Sequence, residues 1–203
     1  MNQESTFRAV LGVGFLAILV IMLYHRLRSW ESKEPLDRRQ EGLFILATLR
    51  PIGLAMWVGV IAYLINPAWI AWSSVPLPTW LRWSGAGVLF LGVALLAWTL
   101  RNLGVNLTDT VVTRQAHTLI TRGPYRWVRH PFYDALGLFV VGFALITANW
   151  FILATGALVF LLLAIRSQTE EALLSVRFGE AYRSYQKSTG RFLPRWQGRI
   201  RRE

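Results

Sequence analysis

The chain has 203 residues, 54% hydrophobic and only 16% charged, with a net charge of +11 and a mean hydropathy of +0.37. A soluble domain carries roughly 25% charged residues, and here the apolar excess lies in long blocks, the pattern of an integral membrane protein. The absence of cysteine excludes disulfides, zinc–thiolate sites and cysteine nucleophiles, three His without clustered carboxylates argue against a metal site, and the positive charge fits basic loops on anionic lipid rather than a nucleic-acid partner.

The first apolar run, Phe7 to Leu23, is broken only by Arg8. No basic stretch precedes it, no small-residue cleavage site follows, and the basic cluster comes after it, so the run predicts a retained transmembrane helix and not a signal peptide. His25 to Glu41 carries five Lys/Arg: Arg26, Arg28, Lys33, Arg38 and Arg39. The next run, Leu43 to Trp72, is longer than one span needs. Arg50 and Pro51 divide it into an interfacial approach, Leu43 to Leu49, and a span, Ile52 to Trp72. An Arg at a helix centre costs about 2.5–3.5 kcal/mol on insertion scales, so Arg50 is placed near the interface, where it can snorkel.

Asn66 to Thr79 holds three Pro and no charge. A third span is read from Trp80 to Leu100, with Gly85, Gly87 and Gly92 for close helix contact inside the chain or against a partner. After the Arg-rich loop 101–129, two runs of about 17 residues, Phe132 to Ala148 and Asn149 to Ile165, are joined so tightly that they predict a helical hairpin. The tail from Arg166 has nine Lys/Arg, and Thr169 to Tyr185 reads as an amphipathic helix interrupted at Gly179. The expected fold is all-α: a polytopic membrane protein of about five transmembrane helices, with a cytoplasmic C-terminal helix. It is read as a single membrane domain over residues 1–203, with three spans in 1–100.

The basic residues then alternate by side. Loops 25–41 and 101–129 carry five Lys/Arg each and the tail nine, while the N-terminus has one and the loop after the second span none apart from flanking Arg82. The positive-inside rule places the N-terminus outside and the C-terminus in the cytoplasm. Both polar clusters, residues 117–133 and Arg166 to Glu171, fall on that cytoplasmic side.

In the first cluster His130 precedes Pro131, which disfavours helical backbone at the His and suits the first turn of the helix that follows. His130 and the N–H groups of Phe132 and Tyr133 are thus expected at a helix N-terminus, where the dipole favours neutral imidazole. In the second, Arg166 and Glu170 are four residues apart and share a helix face. An ordinary ion pair would have the same spacing. Opposite a His-Pro-x-Tyr turn, the pair is also placed to bind a charged ligand.

The ordered set HTLITRGPYRWVRHPFY, RSQTEEALL, FGEAYRSY and RFLP, over about residues 100–195, resembles the isoprenylcysteine carboxyl methyltransferase family and its bacterial phospholipid-methyltransferase-like relatives. The resemblance implies a membrane-embedded, S-adenosylmethionine-dependent methyltransferase, with residues 101–203 as its catalytic half and no Rossmann domain. Carried over by motif, the cofactor contacts are His117, Thr118, Leu119, Ile120, Tyr125, His130, Pro131, Phe132, Tyr133 and Glu170. Arg166, Glu170, His130 and Tyr133 would be the catalytic set, with Arg166 facing the acceptor or lying between acceptor and cofactor, and Tyr182 and Tyr185 closing the pocket. Glu170 is preferred to Glu171 because of its spacing from Arg166. The departures are Ala135, where the family often has Gly, and Asp134, which is open to contact with Arg129, contact with a substrate, or a place at the helix start.

The family implies a hydrophobic or lipid-like acceptor, either a prenylcysteine carboxylate or a phospholipid-like molecule, while the short, cysteine-free chain reads as bacterial and so as a protein of the inner membrane. The acceptor, the methylated atom and the oligomeric state stay open. Two other readings remain open to the sequence: an NADPH-dependent sterol-reductase-like enzyme, and a non-enzymatic lipid-binding scaffold.

Overall fold

The computed structural model describes residues 2–30, 43–104 and 118–195; His117 lies outside them. The protein is an all-α polytopic membrane protein. Its long helices are α1 (Gln3–Trp30), α2 (Leu43–Ile65), α3 (Thr79–Leu103), α4 (Pro131–Thr147) and α5 (Trp150–Phe178), and the short helix α6 (Glu180–Ser188) follows. Four of these are long and apolar enough to cross a membrane. At 17 residues, α4 is the short one, reaching about 25 Å.

Helix α3 packs most intimately on α4, and glycine is the reason. A Cβ on Gly85 would lie 2.5 Å from Cβ of Leu145, and one on Gly142 would lie 2.9 Å from Cβ of Leu89. The small-residue face of α3 is therefore spent on α4 within the chain, while a Cβ on Gly87 would meet nothing. Around this pair the core is filled by Phe7, Leu11, Val60, Leu96, Phe143 and Ile146.

The predicted span Ile52 to Trp72 ends earlier than expected. Pro67 cannot continue the ladder, Asn66 caps a new turn by accepting from the Ala68 N–H at 3.0 Å, and Pro67–Ser73 forms a 3₁₀ helix. The α4–α5 hairpin has the expected tight turn. Ala148 takes a left-handed conformation (φ 48°), and Asn149 caps α5 by accepting from the Ile152 N–H at 3.1 Å. The Asn149 amide also donates to the Ile70 carbonyl and the Ser73 hydroxyl, and the Val75 N–H donates to the Ala148 carbonyl at 2.7 Å. The 67–75 segment is thus stapled to the hairpin tip.

At this same end the N-terminus of α1 is tied down. Arg82 donates to Glu4 and to the Ile146 carbonyl, and Tyr63 donates to Glu4. At the opposite end the sequence reading needs a second correction: no new helix begins near Thr169. Helix α5 runs unbroken to Phe178, so Arg166, Glu170 and Glu171 stand on the continuation of a membrane helix. The break comes at Gly179, whose φ of +56° other residues rarely adopt, and α6 turns back from there.

Candidate functional site

The turn before α4 and the tail after α6 are held side by side by backbone. The Arg129 N–H donates to the Gly190 carbonyl at 2.8 Å, the His130 N–H to the Arg191 carbonyl at 3.1 Å, and the Gly190 N–H to the Trp127 carbonyl at 3.3 Å. The polar end of α5 lies against this strap. The two polar clusters of the sequence, some 40 residues apart, meet here in one site.

Glu171, only 5% exposed, is its hub. It accepts from Arg129 Nε at 2.9 Å, from Arg191 Nη2 at 2.9 Å and from Gln186 Nε2 at 3.4 Å, and lies 3.0 Å from His130 Nε2. Arg129 also donates to the carbonyls of Gln186 and Thr189. An ionised carboxylate only accepts, so Nε2 of His130 carries hydrogen towards Glu171. In neutral imidazole Nδ1 is then an acceptor, and it faces Glu170 at 4.0 Å.

Glu170 has a different environment. Its side chain is 30% exposed, and its carboxylate accepts from the Tyr133 hydroxyl at 3.0 Å, the one hydrogen bond it makes among the described residues. The Tyr133 ring stacks on His130, with centroids 5.3 Å apart and planes 7° from parallel. One turn before Glu170, Arg166 is near enough for its charge to act on the Tyr133 phenol. His130, Tyr133, Arg166 and Glu170 are therefore brought together.

The other predicted positions are arranged around them. Tyr125 joins through its carbonyl, which accepts from the Tyr185 hydroxyl at 2.6 Å. Pro131 is buried at the start of α4, and Phe132 packs on the core while its ring edge meets Tyr133. Thr118, Leu119 and Ile120 run as irregular backbone towards the Gly123–Arg126 turn. The N–H of Tyr133 is not free as expected, because it donates to the His130 carbonyl at 2.9 Å. On α6, burial and then the Glu171 carboxylate push the Tyr182 phenol well above its ordinary range, and burial does the same for Tyr185. Tyr182 is 1% exposed, and its hydroxyl has no hydrogen-bond partner among the described residues.

Sequence reasoning gave no role to Gln186, Arg191 or Phe192, and it offered Arg129 as a contact for Asp134, whereas Arg129 is held by Glu171. The RFLP stretch was the available signal, and Arg191 and Phe192 are its first two residues. Phe192 links the site to its surroundings: its ring centroid is 5.8 Å from that of His130 and 5.7 Å from that of Phe160. Beyond it lies a cavity of about 990 Å³ between α3, α4, α5 and the strap, lined by apolar residues such as Trp98, Leu138, Phe160 and Phe192, with Asp134 in its wall. A polar site with two carboxylates of unlike environment thus adjoins a large apolar chamber at one end of the helix bundle.

The phospholipid methyltransferase family matches residues 80–181, half of the chain. The chain is 28% identical to a protein-S-isoprenylcysteine O-methyltransferase of Dictyostelium discoideum, over 81% of this chain and 70% of that one. It is 34% identical to a methanethiol S-methyltransferase of Mycobacterium tuberculosis, over 95% of this chain and 64% of that one. It spans 45% of the human protein-S-isoprenylcysteine O-methyltransferase. In fold it is similar to a solved eukaryotic intramembrane Ras methyltransferase, an isoprenylcysteine carboxyl methyltransferase. That match has a TM-score of 0.58 and 24% identity and covers 86% of this chain and 63% of that one.

Proposed function

The chain belongs to the phospholipid methyltransferase family, and from that premise we propose that it is a membrane-embedded methyltransferase that uses S-adenosylmethionine to methylate a hydrophobic or lipid-like acceptor. The observation that carries this reading is the polar site formed by His130, Tyr133 and Glu170, set against an apolar cavity and joined to it by Phe192.

The residues present fit that cofactor. Glu170 has carboxylate acceptor capacity beyond the one bond it makes among the described residues, suited to an ammonium or ribose hydroxyls. The buried Tyr182 hydroxyl offers a donor and acceptor with no partner among the described residues. His130, Pro131, Phe132, Tyr133 and Tyr125 supply one wall, with Thr118, Leu119, Ile120 and His117 assigned to the approach by motif. When bound, S-adenosylmethionine supplies an electrophilic methyl group. The chain's own contribution is alignment: Glu171 fixes the tautomer and plane of His130, Tyr133 fixes Glu170, and Arg166 orients the acceptor's polar end. By its alternating loop charge the cofactor side faces the cytoplasm, in a bacterial inner membrane.

The test is calorimetric titration of detergent-purified protein with S-adenosylmethionine, S-adenosylhomocysteine and NADPH. Saturable binding of the first two alone supports the reading. Binding of NADPH alone would replace it with a reductase, and binding of none by folded protein would leave a lipid-binding scaffold.

A further inference from the structure

The apolar cavity beside α4 has one acidic side chain in its wall, Asp134. Leu138 stands one turn further along the same helix, and Trp127, Val141, Ala157 and Phe160 complete the hydrocarbon surface around it. Arg129, a candidate counterion in the preceding turn, is committed elsewhere: its guanidinium is held by Glu171 and by the carbonyls of Gln186 and Thr189. Among the described residues the Asp134 carboxylate makes no hydrogen bond and no ion pair, and the side chain is half-buried. Placing Asp at the first turn of a helix satisfies the dipole, but that does not require the side chain to line a cavity.

A half-buried carboxylate facing apolar surface without a partner is costly to ionise, and a ligand that supplies a donor or a cation lowers that cost. Its position says which part of a ligand that would be. Asp134 stands in the first turn of α4, at the helix end that carries His130 and Tyr133, and shares the cavity wall with Phe192, while the rest of the lining is suited to hydrocarbon. We propose that this cavity receives an apolar acceptor whose head group donates a hydrogen bond or is cationic (an ammonium, hydroxyl or thiol), and that Asp134 selects that head group against an anionic one. A carboxylate-headed acceptor would bring a second negative charge to Asp134 in low-dielectric surroundings, where like charges repel strongly. The inference rests on the methyl-acceptor reading for its biological meaning, but the selectivity itself needs neither methyl donor nor turnover.

The experiment is equilibrium binding of octylamine, octanol, octanethiol, octanoate and octane to the full chain in nanodiscs, without cofactor. The expected result is that the three donor heads bind at least about tenfold more tightly than octanoate, the scale of one buried polar interaction gained or left unmade. Asp134→Asn should erase the margin of octylamine over octanoate, and Ala157→Phe, which fills the cavity, should weaken every ligand. Octanoate binding as tightly as octylamine to the unaltered chain would overturn the proposal, as would an Asp134→Asn protein that keeps the preference or an Ala157→Phe protein that binds undiminished. Equal binding of all five, octane included, would make the cavity an unselective acyl groove and would also overturn it. Failure of S-adenosylmethionine to bind alongside intact head-group selectivity would remove the methyltransferase reading and leave this one standing.

Discussion

Replacing Glu171 tests whether the site is held by its hub. Glu171→Gln keeps the shape and removes the charge from a carboxylate that is 5% exposed and meets two guanidinium groups. The Arg129 side chain is 8% and the Arg191 side chain 36% exposed, so the loss concentrates on Arg129. Breaking a buried pair from one side costs about 3–5 kcal/mol. Arg129 retains the carbonyls of Gln186 and Thr189, and the Gln oxygen still accepts, so the lower end applies, about 3 kcal/mol. Arg191→Gln should cost less, about 1 kcal/mol, because its charge is partly solvated. Urea unfolding in mild detergent followed by near-UV circular dichroism measures both, and limited proteolysis reports release of the strap at residues 189–194. A Glu171→Gln loss below about 0.5 kcal/mol, the ordinary effect of a surface change, with the strap still protected, would refute the hub.

Four further outcomes are expected. Glu170→Gln should weaken S-adenosylmethionine by about tenfold or more while leaving the melting temperature nearly unchanged, since charge-assisted bonds contribute about 1.5–3 kcal/mol and this side chain is 30% exposed; unaltered affinity by calorimetry would remove its assigned role. Asn149→Ala should cost about 2 kcal/mol in the same unfolding assay, because it deletes the α5 cap and both bonds to the 70–73 turn. Gly85→Ala should destabilise by about 1–3 kcal/mol, since its Cβ would lie 2.5 Å from that of Leu145, whereas Gly87→Ala should not destabilise. Because burial raises the Tyr182 phenol in the folded state, its contribution to stability is full below the unfolded value of about 10 and is lost progressively above it, so stability should fall as pH rises past that value, and Tyr182→Phe should flatten the fall in a thermal scan from pH 8 to 11.

The sequence by itself determined the membrane class, the run of five apolar helices, the hairpin and the fact that both polar clusters fall at one end of the helices. These follow from apolar length and charge alternation, which are one-dimensional quantities set by bilayer thickness and loop solvation. It also gave His130, Tyr133 and Glu170 as partners through the order of their motifs, with Pro131 fixing the start of α4. It overran where a local stop competed with an apolar run, as at Pro67, and it started a helix where α5 in fact continues to Gly179. Only the tertiary structure separated Glu170 from Glu171. The two are adjacent in sequence and about 100° apart around the helix, so one meets the buried guanidinium of Arg129 while the other opens beside Tyr133. Only the returning strap put Arg191 on Glu171 and Phe192 between the polar site and the cavity, because contacts between residues 20 to 60 positions apart depend on the backbone turn at Gly179 and leave no periodic trace in the chain.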